Sequence, residues 1–406
     1  AVAIGNTAGQ TTQGISAVAI GYRAGYTTQG ISAVAIGNDT GKTTQGASAV
    51  AVGPYAGEAD QGQFGIAIGS AAGYTTQGVD GIAIGRQAGE TTQGADAVAI
   101  GNDAGKTTQG TKAVAIGEDA GRTSQGVNAV AIGNNAGSDT QSLESIAIGK
   151  QAGQGAYAVA TYVSGGVAST VMVVDDTTDI VVGMRVTSTG TGFTYTLLEQ
   201  QQTVLSIDNA TTVTLSAVAN AGTPSGTITF KSAQDYYAVA IGSGAGQTSQ
   251  GPGGVAIGYL AGKVNQVQGT AIGSRAGETQ QGLGAVAVGV DTGRNNQGTH
   301  SVAVGKWAGE DNQGQEGIAI GYFAGQTSQG EDSIAIGKEA GKTNQAARSI
   351  ILNATNSALD TTQTDQFIVK PVRSAAMTTI LGYDVGTGEV THNAAIPGYI
   401  SLADLK

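Results

Sequence analysis

The chain has 406 residues, 67 of them Gly and only 12% charged, with a formal charge of −11 and no Cys. This lies outside ordinary enzyme composition and excludes disulfides and thiolate metal sites. It also argues against a nucleic-acid partner, because the 19 basic residues are scattered singly where phosphate neutralisation needs them clustered.

AVAIGNTAGQTTQGIS opens the chain and AVAIGYRAGYTTQGIS follows sixteen residues later. A fixed short period is the mark of a solenoid. Because 40% of residues are hydrophobic and Val and Ile return at fixed offsets, the Gly content belongs to a folded repeat and not to a disordered linker. Nine units run from Ala1 to Glu144, and a tenth starts at Ser145 and loses the pattern after Gly153, so residues 1–153 are read as the first ten coils. Residues 154–237 replace the Gly-rich beat with Val/Thr runs (Thr170 to Val174, Ile180 to Val182, Thr203 to Ile207, Thr212 to Leu215, Thr227 to Phe230), which predict the short strands of an inserted small β domain. The beat resumes near Ala238 and gives seven more units over 238–348, one of them short by a residue between Lys263 and Gln268. From 349 to 406 the sequence is non-repetitive β, with a hairpin expected around Asp384 to Thr391. The pattern begins at Ala1 without a polar cap, which predicts further sequence upstream. No signal peptide and no apolar run of membrane-spanning length is present in these residues.

Sixteen residues are too few for two packed helices, and two Gly per unit would penalise any helix. The fifth and ninth positions are Gly5 and Gly9, Gly21 and Gly25, and so on to Gly337 and Gly341, as expected of corners that need positive φ or close backbone approach. Two corners imply two short strands per coil. Within AVAIG, Val2 and Ile4 point one way and Ala1 and Ala3 the other, so both faces of the strand are apolar. The expectation is that Val and Ile fill the coil and that the Ala side meets sister chains, since one thin coil buries too little to offset the ordering of sixteen residues. A Gln column at the thirteenth position (Gln13, Gln29, Gln45, Gln77, Gln93, Gln109, through Gln329) predicts a structural ladder of amides stacked at about 4.8 Å; a row of sugar-binding amides is the alternative.

The AVAIG core followed by an Ala-Gly corner resembles the head repeat of trimeric autotransporter adhesins, over about 250 residues. The unit here is longer by its TTQ-like segment, and no membrane anchor follows it. The resemblance implies a left-handed parallel β-roll of 16-residue coils in which three chains associate around an axis: an all-β homotrimeric fibre. The stretch Ser349 to Asn393 is similar to the segment that follows such repeats in tail fibres and appendages of phages and large viruses, where a self-cleaving chaperone often comes next. What this implies is a virion structural protein that projects from the particle, joins other virion proteins and contacts a glycan or protein receptor on the host surface. A bacterial trimeric surface adhesin and a polysaccharide-degrading tailspike are the alternatives.

Chemistry is sparse. His300 and His392 stand in unrelated contexts, so neither a catalytic nor a metal pair is expected, and the chain is read as a non-enzyme without cofactors. The nearest acidic cluster, Asp175, Asp176 and Asp179, reads as a solvated turn rather than a glycosidase pair. Paired Thr (Thr11 and Thr12, Thr75 and Thr76) cannot form a flat two-column ice-binding surface, because neighbours in a strand face opposite sides. Positions six and seven vary freely, as solvent-facing loops do. Trp307, Tyr322 and Phe323 sit there in consecutive units, about 5 Å apart along the stack, and are the candidate receptor contacts; packing between chains is the plainer reading.

Overall fold

The computed structural model describes residues 1–165, 171–174, 185–188, 204–210, 212–215, 227–232, 234, 237–372, 380–383 and 390–393. The chain forms a unit over Ala1–Ile368 and a second over Val369–Lys406. Among the described residues it is all-β, with no helix.

A short strand at positions 2 to 4 of each unit, from Val2–Ile4 and Val18–Ile20 to Ile318–Ile320 and Ile334–Gly337, pairs in parallel with its copy one unit away. The register is one unit throughout: Val2 faces Val18, Ala3 faces Ala19 and Ile4 faces Ile20. A second parallel sheet carries position 13. It runs through eight two-residue strands from Thr12–Gln13 to Ser124–Gln125, and then through five three-residue strands from Thr248–Gln250 to Asp311–Gln313. Two parallel strands per sixteen-residue turn make a β-solenoid, in which the strand N–H groups find carbonyls in an adjacent coil while corner groups such as Ala17 N–H close back on Gly14 O. Gly21 N–H, for example, donates to Ile4 O at 2.8 Å.

The pairing crosses the interruption without a gap. Ile146, Ala147 and Ile148 face Val239, Ala240 and Ile241, and Ser142 N–H donates to Gln234 O. Gly155 N–H still bonds Gln247 O in the next coil, so the tenth coil holds the chain through Gly155 and takes it up again at Gln234. Between these points lies a six-stranded antiparallel sheet in the order Arg185–Ser188, Thr227–Ser232, Ala156–Gly165, Val171–Val174, Thr212–Leu215 and Val204–Asn209. The expected strand at Ile180 to Val182 and the acidic cluster Asp175, Asp176 and Asp179 lie outside the described residues. After position 348 the register carries on, because Ile350–Asn353 pairs in parallel with Ile334–Gly337. Here Ile351 takes the place of the small inward residue, and with Leu359 and the partly buried Ile368 it packs on Ala335 and Ala340, closing this end of the alanine core. In the second unit Ile380–Tyr383 pairs antiparallel with Val390–Asn393.

The two faces of the first strand are the reverse of the sequence expectation. Ala19, Ala35, Ala67, Ala83, Ala99 and Ala115 are 0% exposed in the single chain, as are Ala24, Ala56, Ala72 and Ala88 at position 8. Val and Ile at positions 2 and 4 point outward and remain partly exposed. The reason is the cross-section of the coil. The position 13 Gln lies inside and spans the coil to the carbonyl of position 2, so the remaining interior takes small side chains at positions 3 and 8, Ala in most coils.

Candidate functional site

Three sets of side chains are built by the repeat: an interior amide ladder, charged bridges between neighbouring coils, and an exposed apolar and aromatic surface.

Each ladder Gln is almost wholly buried once the first coil is passed. Gln13 Nε2 donates to Val2 O at 2.7 Å and Gln29 Nε2 to Val18 O at 2.8 Å; Gln45, Gln77, Gln93 and Gln109 do the same with Val34, Ile66, Ile82 and Val98, and Gln329 with Ile318. The same nitrogen bonds the next Gln along the stack, at 3.2 Å from Gln29 to Gln45, 3.0 Å from Gln77 to Gln93 and 3.1 Å from Gln93 to Gln109. The amide chains run Gln29 to Gln61, Gln77 to Gln234 and Gln250 to Gln329. The oxygens at the start of each run, on Gln29, Gln77 and Gln250, together with that of Gln345, have no donor among the described residues. Buried amides that bond both backbone and each other fix the coil register. Their seclusion leaves no row of amides for a sugar.

The corner glycines take left-handed or otherwise positive φ: Gly5 134°, Gly9 56°, Gly21 131°, Gly25 55°, Gly337 109° and Gly341 57°. At Gly9 a Cβ would stand 2.9 Å from the Gln13 amide carbon, so the ninth position must lack a side chain for the ladder to fit. Two further corners, at positions 7 and 16, adopt positive φ without Gly, as at Thr7 (56°) and Ser16 (58°). Position 7, in the freely varying loop, is thus a defined left-handed corner.

Charged side chains bridge neighbouring coils. Arg23 Nε lies 2.7 Å from Asp39, and Lys42 Nζ lies 3.6 Å from Asp39 and 2.9 Å from Glu58. A second set repeats this, with Arg275 on Asp291 at 2.7 Å and Arg294 reaching Glu278, Asp291 and Glu310. In both, Asp is followed by a Thr where other coils carry Ala, and the hydroxyls of Thr40 and Thr292 donate to Gly53 O and Gly305 O. The hydrogen bond to Glu58 holds the Lys42 ammonium above its ordinary value, and the charge of Glu58 pushes the Tyr74 phenol up.

The three candidate contact residues come together. Trp307 and Phe323 stack face to face at 4.6 Å and 9°, Tyr322 meets Phe323 edge-on at 4.2 Å, and Tyr322 lies 5.6 Å from Trp307. Lys306 Nζ sits 3.7 Å from the Trp307 ring centre and Lys342 Nζ 4.6 Å from that of Phe323. Rings 4.6 Å apart leave no room for an ammonium between them, so the lysines cover the outer faces of the stack. Trp307 and Phe323 are half-buried, whereas Tyr322 is 41% exposed. The lysines escaped the sequence reading, although the sixteen-residue register alone sets Lys306, Tyr322 and Lys338 in one column.

His300 lies at a position 16 corner and His392 in a strand of the second unit. Among the described residues no group of His, Cys, Asp and Glu could hold a metal ion. No known protein family, curated protein or solved structure matches the chain.

Proposed function

We propose that this chain is a structural fibre protein of a virion, a homotrimer of left-handed parallel β-rolls that projects from the particle and contacts the host cell surface. One observation carries the self-association. The interior of each coil is already filled by alanine and glutamine, yet the outer face carries a Val or Ile at positions 2 and 4 of nearly every coil, with Ile36 37%, Ile68 39%, Ile320 38% and Ile336 39% exposed in the single chain. A contiguous apolar stripe of this kind marks an interaction surface, and covering it with sister chains adds a favourable term at each coil. Three is the number of chains that the resemblance to adhesin heads implies. At about 4.8 Å per coil, seventeen units make a rod of roughly 80 Å, a spacer that presents its corners and its interrupting six-stranded sheet, here read as an inserted small β domain, at a distance from the particle.

Light scattering coupled to size exclusion tests this. The expected mass is that of three chains of 40.0 kDa, and Ile100→Glu combined with Ile116→Glu is expected to give a smaller species. A wild-type chain that elutes folded and monomeric at all concentrations overturns the reading.

A further inference from the structure

Beside the aromatic stack, position 6 of three consecutive coils carries Lys306, Tyr322 and Lys338. Tyr322 is the most open of the three rings, and the two lysines occupy the equivalent position in the coil on either side of it, one strand spacing of about 4.8 Å along the stack; Lys306 Nζ rests over the Trp307 ring. The acids nearby are engaged elsewhere: Glu310 faces Arg294 and accepts a hydrogen bond from Gln326, Asp291 is held by Arg275 and Arg294, and Glu339 faces Lys342. Lys306 and Lys338 have no acidic partner among the described residues. In a chain of charge −11, an exposed ring between two lysines whose charge no acid neutralises is a local reversal of sign, and the stack beneath holds the ring in place through Trp307 and Phe323.

We infer that the column Lys306, Tyr322 and Lys338 is a binding site for an acidic polysaccharide, in which a pyranose ring of a uronic acid lies on Tyr322 and its carboxylate is met by the two lysines. An amphipathic aromatic ring suits a sugar that is apolar on its C–H face and polar at its rim, and ammonium–carboxylate hydrogen bonds are of the charge-assisted kind. Each site is solvent-exposed, so salt screens it and one copy binds weakly; three copies on one fibre raise the avidity. The inference rests on the proposed fibre reading, which supplies the surface glycan and the multiplicity.

The test is retention of the full chain on immobilised polygalacturonate, on the same polymer with its carboxylates reduced to alcohols, and on dextran sulfate, with the chain's mass followed in parallel by light scattering. Expected are binding to polygalacturonate that falls with added salt, little binding to the reduced polymer, and loss of about tenfold or more in Lys306→Gln/Lys338→Gln. Tyr322→Ala is expected to lose about fivefold and Tyr322→Phe to keep the binding. Lys150→Gln, at the same coil position between Asn134 and Ser243, leaves binding unchanged. No retention of polygalacturonate, equal loss in Lys150→Gln, or stronger binding of dextran sulfate that ignores Tyr322→Ala each overturn the site. A trimer that fails to bind sinks this inference alone, and a monomer that binds sinks the fibre reading alone.

Discussion

Gln141 donates its Nε2 hydrogen to Oε1 of Gln234 at 3.3 Å, joining two side chains 93 positions apart in sequence. The bond places Gln234 in the column as if it stood sixteen residues on, and Gln234 completes its own contact with Ile146 O. The amide ladder therefore crosses the interruption, and its members should differ in worth according to how many partners each has.

Gln109 accepts from Gln93 and donates to Val98 O, Ala113 O and Gln125. Gln109→Leu strands buried groups on both neighbours and is expected to lower stability by about 2–4 kcal/mol. Gln29 begins a run, and its oxygen has no donor to lose, so Gln29→Leu costs less. Urea midpoints at unchanged slope check the order.

Glycine at the fifth position is required by more than its dihedral angle. At Gly101, φ is 134° and a Cβ would stand 2.6 Å from Gly117 O, so Gly101→Ala is expected to cost about 3 kcal/mol or more. Gly253 has φ of 66° with open space around it, and Gly253→Ala should cost about 1–2 kcal/mol, the left-handed penalty alone. Thermal midpoints of the two variants separate strain from collision.

The inverted faces give a paired prediction. Ala99 is fully enclosed, and Ala99→Leu overpacks a space sized for a methyl, at about 1–3 kcal/mol or more. Val98 points out of the coil, so Val98→Thr is expected to leave coil stability within about 1 kcal/mol and to weaken the proposed self-association. Denaturation curves and sedimentation at several concentrations distinguish the two effects.

Glu58 raises both Lys42 and Tyr74 above their ordinary values. A raised folded value means stabilisation that is complete below the unfolded value and is lost as pH rises through the folded one. The advantage of wild type over Glu58→Gln should therefore hold from neutrality to about pH 9 and shrink above the ordinary Lys value of 10.5. These side chains are partly exposed, so the difference stays below about 1 kcal/mol. Melting temperatures measured across that alkaline range decide it.

The period, the two strands per coil and the Gly corners were legible because each is local: alternation and turn chemistry are written within sixteen residues. Which face of AVAIG turns inward was not, since both are apolar and the choice depends on how far Gln13 reaches across a coil whose width no single strand reveals. Position 12 carried a signal that went unread. It is left-handed at Ser249, Asn265, Gln280, Asn296, Asn312, Ser328 and Asn344, none of them β-branched, whereas the first nine coils mostly hold Thr there and show no positive φ at it. Such a conformation suits Asn and disfavours branched side chains, and it begins where the second sheet changes from two-residue to three-residue strands.

The unit-for-unit pairing also bears on how such a chain changes over generations. Val98 faces Val114 as Val114 faces Val130, so duplicating or excising one sixteen-residue block by unequal recombination would leave every surviving contact as it was. Even the fifteen-residue unit keeps its place, with Gln266 reaching Gly269 O three residues on where other coils count four. Reach, in a molecule assembled this way, can be inherited in whole increments.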